Sequence, residues 1–184
     1  DKVNPQNIYG YSKALAEQSI KEILLEKNSY SILRTSWVVS PIGNNFLLTM
    51  IKLMNKDNDI RVVNDQLGSM TSTLNLAKSC WQLINVNKKY TLKDLVFPPI
   101  QHWCDEGIIS WYQLAIEIRR IVQERGLLKN PAKIIPILSN DYKFIAKRPK
   151  YSVLDCTHTE KLLKIKRTYW KDSLYNILNV ILAK

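Results

Sequence analysis

Residues 30–39 read Tyr-Ser-Ile-Leu-Arg-Thr-Ser-Trp-Val-Val, an apolar run rich in β-branched and aromatic side chains with one charge, at Arg34. Asn28-Ser29 precedes the run and the loop-forming Pro41-Ile42-Gly43-Asn44 follows it. A run of this kind predicts a strand that is buried on both faces. Such strands are typical of parallel sheets covered by helices, so the segment indicates an α/β protein.

Helices and strands alternate on either side of this strand. Residues 12–27 place apolar side chains on one helical face before it. The elements predicted after it are a helix at 46–54, a strand at 60–63, a helix around 77–84, a strand at 100–104, a helix opened by a Ser110/Gln113 capping box, a strand near 134–135 and a last helix around 174–182.

The alternation predicts a parallel sheet with helices, the C-terminal part of a Rossmann-like sheet, plus a smaller substrate-binding lobe. Residues 1–90 are expected to form the sheet-bearing part. Residues 91–184 are richer in helix and proline, and we expect them to form mainly the lobe, interleaved with the first part.

Composition excludes several classes of protein. With 184 residues, of which 46% are hydrophobic, the chain can build a packed core and is too apolar for a disordered protein. No apolar run approaches the length that crosses a bilayer, and the first residues do not resemble a signal peptide, so we expect no membrane association. Cys80, Cys104 and Cys156 are far apart in sequence and form no C-x-x-C pair, which favours packed thiols in a reducing cytoplasm.

The formal net charge of +11 has three interpretations: the protein binds a nucleic acid, it binds an anionic small molecule, or it has a solvated basic surface without a specific ligand. The lysines are scattered, and no nucleic-acid-binding module accompanies them. We therefore expect no nucleic-acid partner, and favour a solvated surface with some bias toward a phosphate-bearing ligand.

Tyr9 and Lys13 stand four residues apart at the start of the first predicted helix, so they share a face. A lysine ammonium beside a phenol favours the phenolate and lowers the phenol pKa from about 10. Such a tyrosine can protonate a carbonyl oxygen near neutral pH. The alternative is that Tyr9 and Lys13 are simply two exposed residues of a lysine-rich helix, where the same spacing occurs. The surrounding sequence has to decide between these two interpretations.

That surrounding sequence, Pro5-x-x-x-Tyr9-Gly10-x-Ser12-Lys13-Ala14-x-x-Glu17, resembles the active-site helix of the extended short-chain dehydrogenase/reductase family. Later motifs are similar to one branch of it, the dTDP-4-dehydrorhamnose reductases. These motifs are residues 33–38 with 43–46 and 49–50, residues 62–71, His102 with Gly107 and residues 110–112, and residues 148–155. The resemblance runs from about Pro5 to the final helix.

The resemblance implies NADPH- or NADH-dependent reduction of dTDP-4-dehydro-L-rhamnose to dTDP-L-rhamnose, a step of cell-surface polysaccharide biosynthesis. Tyr9 would protonate the forming alkoxide. Lys13 would lower the tyrosine pKa and bind the nicotinamide ribose, so both residues would also contact the cofactor. The resemblance leaves room for Mg²⁺ in assembly but assigns no metal to the hydride step.

Five residues are candidates for binding the nucleotide-sugar substrate. Trp37 follows a predicted central strand, where ligands bind in open α/β sheets, and its ring suits stacking on a sugar or base. Asn45, Gln66 and Thr71 lie in loops or at element ends, where turn and cap chemistry is the alternative. The guanidinium fork of Arg148 suits a diphosphate, with a surface arginine as the alternative.

The sequence also departs from the family pattern. Gly68-Ser69-Met70-Thr71 stands where the family has G-x-P-T, and Val39 replaces a frequent tyrosine. No G-x-G-x-x-G or G-x-x-x-x-G-K occurs in the 184 residues. The family's glycine-rich loop, its ribose selector and the Ser/Thr partner of the tyrosine all precede the matched segment.

We therefore expect this chain to be inactive alone. Its expected partners, besides the substrate, are a second copy in a homodimer or a missing N-terminal half. A non-catalytic, reductase-like interaction or regulatory module is the alternative function.

Overall fold

The computed structural model describes residues 3–24, 30–56, 58–91, 97–142 and 146–183. The helices are α1 (Ile8–Leu24), α2 (Phe46–Met54), α3 (Thr73–Thr91), α4 (Trp111–Glu124), α5 (Thr157–Leu163) and α6 (Trp170–Leu182). The strands are β1 (Ile32–Arg34), β2 (Val38–Val39), β3 (Ile60–Val63), β4 (Leu67–Gly68), β5 (Thr71–Ser72), β6 (Ile100–His102), β7 (Ile109–Ser110) and β8 (Ile134–Ile137). This mixture of helices and strands confirms the predicted α/β class.

Three strand pairs are parallel: β1 with β6, β2 with β5, and β3 with β8. The short β4 and β7 pair antiparallel. The β1–β6, β3–β8 and β4–β7 pairs each join a strand before residue 90 to a strand after it. The division at residue 90 stays a prediction.

The expected strand over residues 30–39 is wrong as one continuous element. β1 ends at Arg34 and β2 begins at Val38, because Trp37 between them has a φ of 44°, in the left-handed region. An extended strand cannot pass through that conformation. β1 is also half-buried rather than buried on both faces.

Two other predicted boundaries shift. α1 begins at Ile8, one turn before the predicted start, and residues 25–27 of the predicted helix lie outside the described residues. The strand predicted at 100–104 ends at His102. Asp57, in the turn predicted after α2, also lies outside the described residues.

The main core surrounds α4, which buries six side chains against α2, β3, β8 and α6. The predicted capping box is present: the Ser110 hydroxyl accepts from the Gln113 N–H at 3.0 Å, and the Gln113 side chain accepts from the Ser110 N–H at 2.8 Å. Such a cap stabilises a helix by about 1 kcal/mol. It fixes the start of α4, where Trp111 reaches the candidate site.

A second, smaller apolar cluster joins α3 and α5 around Leu83, Phe97, Trp103 and Leu163. None of the described helices has the length and hydropathy of a membrane span.

Candidate active site

A cavity of about 770 Å³ opens between the start of α1, the bend from β1 to β2, and the segment 146–152. A neighbouring cavity of about 390 Å³ shares three residues with it. The shared residues are Gln66, Trp111 and Arg148.

Tyr9 lies at the rim of the larger cavity, and 71% of its surface is exposed. The Lys13 ammonium lies 5.4 Å from the centroid of the Tyr9 ring. The two side chains therefore share one helical face, as their spacing predicts. A phenol hydroxyl at the cavity rim, with an ammonium beside its ring, can serve as proton donor and cation.

Glu17 and Arg34 tie α1 to β1. The Arg34 guanidinium donates two hydrogen bonds to the Glu17 carboxylate, at 2.7 and 2.6 Å. This bidentate pairing lowers the pKa of Glu17 and raises that of Arg34. Since Glu17 stands two turns after Tyr9, the pair sets how α1 presents Tyr9 to the cavity.

Asn7 holds the other end of α1. Its side-chain oxygen accepts from the Gly10 N–H at 2.8 Å, which caps the helix. Its side-chain nitrogen donates to the Lys147 carbonyl, also at 2.8 Å. One amide therefore connects the helix that carries Tyr9 with the segment that carries Arg148.

Trp37 is packed against a second tryptophan. Its ring stacks on that of Trp111 with centroids 3.7 Å apart and an interplanar angle of 13°, and Phe46 packs against Trp111 in turn. A Cβ built on Gly68 would lie 2.6 Å from two atoms of the Trp37 ring, so a glycine is needed there. Because Trp111 covers one face of Trp37, a sugar or base cannot stack on that face.

Hydrogen bonds of Trp37 and of its neighbour Ser36 hold the left-handed conformation of Trp37. Its carbonyl accepts from the Thr71 N–H at 3.1 Å. The Ser36 hydroxyl donates to the Ser69 carbonyl at 2.7 Å. A left-handed residue other than glycine costs roughly 1–2 kcal/mol, and these neighbours offset that cost.

Gln66 and Arg148 line the larger cavity, and their role in substrate binding stays a prediction. Gln66 is buried, and its side-chain N–H donates a hydrogen bond to the Ser139 hydroxyl at 3.0 Å. Arg148 is exposed and lines both cavities. With Lys147 beside it, Arg148 makes this wall of the cavity cationic.

The segment 146–152, which carries Lys147 and Arg148, is hydrogen-bonded to β4. Leu67 donates its N–H to the Lys150 carbonyl, and its own carbonyl accepts from the Ser152 N–H, both at 2.8 Å. Lys150 also lies 3.7 Å from the Asp65 carboxylate. The Ser139 hydroxyl donates to that carboxylate at 2.7 Å and lowers the pKa of Asp65.

The structure places Asn45 and Thr71 outside the larger cavity. Asn45 caps α2: its oxygen accepts from the Leu48 N–H at 3.3 Å, and its nitrogen donates to the Ser40 and Ile42 carbonyls. Thr71 is fully buried and donates its hydroxyl to the Ser36 carbonyl at 2.6 Å. Both polar side chains make the cap and turn contacts named above as the alternative, and their role in substrate binding stays a prediction.

Sequence reasoning missed Asn7 and Trp111 as cavity residues. The signal for Asn7 was an Asn just before a helix, a frequent capping residue. Trp111 follows the Ser110 cap of α4, and its contact with Trp37 joins parts of the chain that are distant in sequence. Among the described residues, no group of three or more His, Cys, Asp or Glu side chains is arranged to hold a metal ion.

A Tyr–Lys pair, a cationic wall and a tryptophan thus meet at one cavity. Residues 1–182 match the family described as the RmlD substrate binding domain. The chain belongs to that family.

Two curated relatives illustrate the match. The spore coat polysaccharide biosynthesis protein SpsK of Bacillus subtilis (strain 168) is 36% identical over 179 residues, covering 97% of this chain and 56% of that protein. The dTDP-4-dehydrorhamnose reductase of Aggregatibacter actinomycetemcomitans is 35% identical over 178 residues, covering 96% of this chain and 58% of that protein. The chain therefore spans a little over half the length of these relatives.

Solved structures agree. A dTDP-4-dehydrorhamnose reductase from Clostridium acetobutylicum superposes with a TM-score of 0.83 at 33% identity, covering 99% of this chain and 58% of that one. The dTDP-4-dehydrorhamnose reductase from Bacillus anthracis in complex with NADP superposes with a TM-score of 0.81 at 30% identity, covering 96% of this chain and 57% of that one. These matches confirm the recognised family.

Proposed function

We propose that this chain forms the substrate-facing part of an enzyme that reduces dTDP-4-dehydro-L-rhamnose to dTDP-L-rhamnose with NADPH. The observation that best supports the proposal is one cavity lined by Tyr9, with Lys13 beside it, and by Trp37 and Arg148. The named activity of the relatives supplies the substrate and the bound NADP of one relative supplies the cofactor.

Tyr9 is the proposed proton donor. Its hydroxyl protonates the C4 oxygen of the substrate while the C4 carbon receives the hydride that NADPH supplies when bound. The ammonium of Lys13 stabilises the phenolate that Tyr9 becomes, and so makes the transfer easier near neutral pH. Tyr9 is then reprotonated from solvent, to which its exposed position gives access.

The residues present fit one end of the cofactor. The phenol of Tyr9 and the ammonium of Lys13 are donors that suit the nicotinamide ribose hydroxyls. A pyrophosphate is usually held by a glycine-rich loop and a helix N-terminus, and the 184 residues contain no such loop motif. We therefore propose that turnover requires residues beyond this chain.

The cationic wall is the proposed diphosphate site. Arg148 offers a planar fork that can hold phosphate oxygens in two hydrogen bonds, and Lys147 adds a second charge. Gln66 offers an amide at the junction of the two cavities. Asn45 and Thr71 are proposed to act indirectly, by holding the loops around Trp37 and α2.

The binding part can be tested on this chain directly. Tryptophan fluorescence should follow dTDP titration, since Trp37 and Trp111 line the cavity. Arg148→Ala should weaken dTDP binding by about tenfold or more, as expected for lost charge-assisted hydrogen bonds of about 1.5–3 kcal/mol. Arg125→Ala, which removes an exposed arginine at the end of α4 that lines neither cavity, is the control. Equal dTDP affinity in wild type and Arg148→Ala would contradict the diphosphate assignment.

The catalytic part needs a complete reductase. A chimera would join the part of the Aggregatibacter protein that this chain does not cover to these 184 residues. We expect the chimera, and not the chain alone, to consume NADPH when dTDP-4-dehydro-L-rhamnose is added, measured by absorbance. A folded chimera that binds both ligands without turnover would instead favour the non-catalytic module.

A further inference from the structure

Two of the three cysteines meet in the interior, away from the candidate site. Cys104 follows β6 and Cys156 immediately precedes α5, and their sulfur atoms lie 3.5 Å apart. Both are free thiols, and both are almost fully buried, at 0% and 1% exposure. Cys80, on α3, is exposed.

Two hydrogen bonds through Thr159 join the elements next to the two cysteines. The His102 N–H donates to the Thr159 hydroxyl at 3.1 Å, and that hydroxyl donates to the Gln101 side chain at 3.2 Å. These bonds dock the first turn of α5 on β6. The thiol pair therefore belongs to a fixed junction between two elements.

The surroundings make the two thiols unequal. The hydrogen bond with the Cys156 thiol lowers the pKa of Cys104, and the Ser69 hydroxyl and the Arg167 guanidinium act in the same direction. A guanidinium nitrogen of Arg167 lies 4.0 Å from the Cys104 sulfur. The hydrogen bond with the Cys104 thiol, together with burial, raises the pKa of Cys156. Cys104 is therefore the better nucleophile, because the thiolate is the reactive form.

We propose that Cys104 and Cys156 form a dithiol site that a peroxide oxidises to an intramolecular disulfide. The Cys104 thiolate attacks hydrogen peroxide, giving a sulfenic acid and hydroxide. The Cys156 thiol then attacks that sulfur, and the sulfenic oxygen leaves as water. Two thiols and one peroxide thus become one disulfide and two waters. The sulfurs have to approach from 3.5 Å to about 2.0 Å to form the bond.

The disulfide would join two segments that lie next to residues around the candidate site. Cys156 comes four residues after Ser152, which lines the larger cavity. Cys104 comes directly before Asp105, whose carboxylate accepts from the Ser72 N–H at 2.9 Å. Oxidation would therefore cross-link the start of α5, four residues after Ser152, to the residue that precedes Asp105.

The test is peptide mapping of the oxidised 184-residue chain and needs no substrate. The folded chain is treated with hydrogen peroxide, blocked with N-ethylmaleimide in acid and digested. We expect one linked peptide pair containing Cys104 and Cys156, with Cys80 outside the linkage, and dithiothreitol should reverse it. The disulfide should raise the melting temperature by on the order of 10 °C, because it closes a long loop.

A chain unfolded in guanidinium is the matched control. There the three cysteines are expected to pair in all combinations, whereas Cys80→Ser should leave the native pairing intact. Cys104→Ser should remove the linked peptide. The proposal is overturned if Cys104 and Cys156 remain thiols under conditions that oxidise Cys80, or if they are oxidised separately without linkage.

Discussion

The two helices that reach the cavity are held in opposite ways. α4 buries six of its 14 residues, carries a complete capping box and presents Trp111. α1 has 17 residues, buries none, and presents Tyr9 beside Lys13. Polar contacts tie it to the rest of the fold: the Glu17–Arg34 pair and the Asn7 amide. The proposed chemistry therefore sits on the weakly anchored helix, and the cavity wall on the strongly anchored one.

This difference separates stability from activity. A substitution in α4 should mainly lower the free energy of unfolding, and a substitution in α1 should mainly lower the turnover rate of the chimera. The predictions below test that separation.

The largest effect on stability is expected from Leu114→Ala in α4. Leu114 is fully buried in the main core, and such truncations cost about 2–5 kcal/mol because they leave a cavity. Leu15→Ala in α1 is the matched control; Leu15 is 44% exposed, so its loss should cost about 0.5 kcal/mol or less. Urea unfolding of both variants measures the difference. Equal destabilisation would show that α1 is packed as firmly as α4.

The largest effect on rate is expected from Tyr9→Phe in the chimera. Removing a positioned proton donor lowers turnover by roughly 10²–10⁴-fold, and substrate affinity should change little. Tyr11→Phe is the control, since Tyr11 is exposed on the same helix and does not line the cavity. NADPH consumption and dTDP-sugar titration give the two quantities. An unchanged rate in Tyr9→Phe would remove Tyr9 from the proposed mechanism.

An intermediate effect is expected from Gly68→Ala at the tryptophan stack. The added Cβ would lie 2.6 Å from the Trp37 ring, and overpacking of this kind costs about 1–3 kcal/mol. Displacement of Trp37 from Trp111 should also weaken the exciton signal of the stacked pair in circular dichroism. Trp37→Phe in the Gly68→Ala background should recover part of the stability, because the smaller ring leaves room. Additive losses in the double variant would mean that the two residues do not compete for space.

Local patterns predicted what local interactions determine. The capping box at Ser110 and Gln113, and the shared face of Tyr9 and Lys13, follow from spacing alone. The break at Trp37 did not, because its left-handed backbone depends on packing against Gly68 and Trp111. An Asn or Thr at the end of an element gives the same sequence pattern whether it caps the element or binds a ligand. The cap and turn contacts of Asn45 and Thr71 therefore became visible only in the structure.

The smallest effect is expected from the polar tie of α1. Glu17→Gln keeps the shape of the side chain but removes the charge that Arg34 pairs with, at a cost of about 1 kcal/mol. Because the pKa of Glu17 is lowered in the folded chain, the pair stabilises it fully above the unfolded carboxyl pKa of about 4.3 and is lost as the pH falls through the folded value. Unfolding at pH 7 should therefore separate wild type from Glu17→Gln, and unfolding below the folded pKa should bring them together. Glu22→Gln, on the same helix, is the control for general charge effects. If the Glu17→Gln difference persists unchanged in acid, the ion pair is not what holds α1 to β1, and apolar contacts would then have to be counted as its anchor.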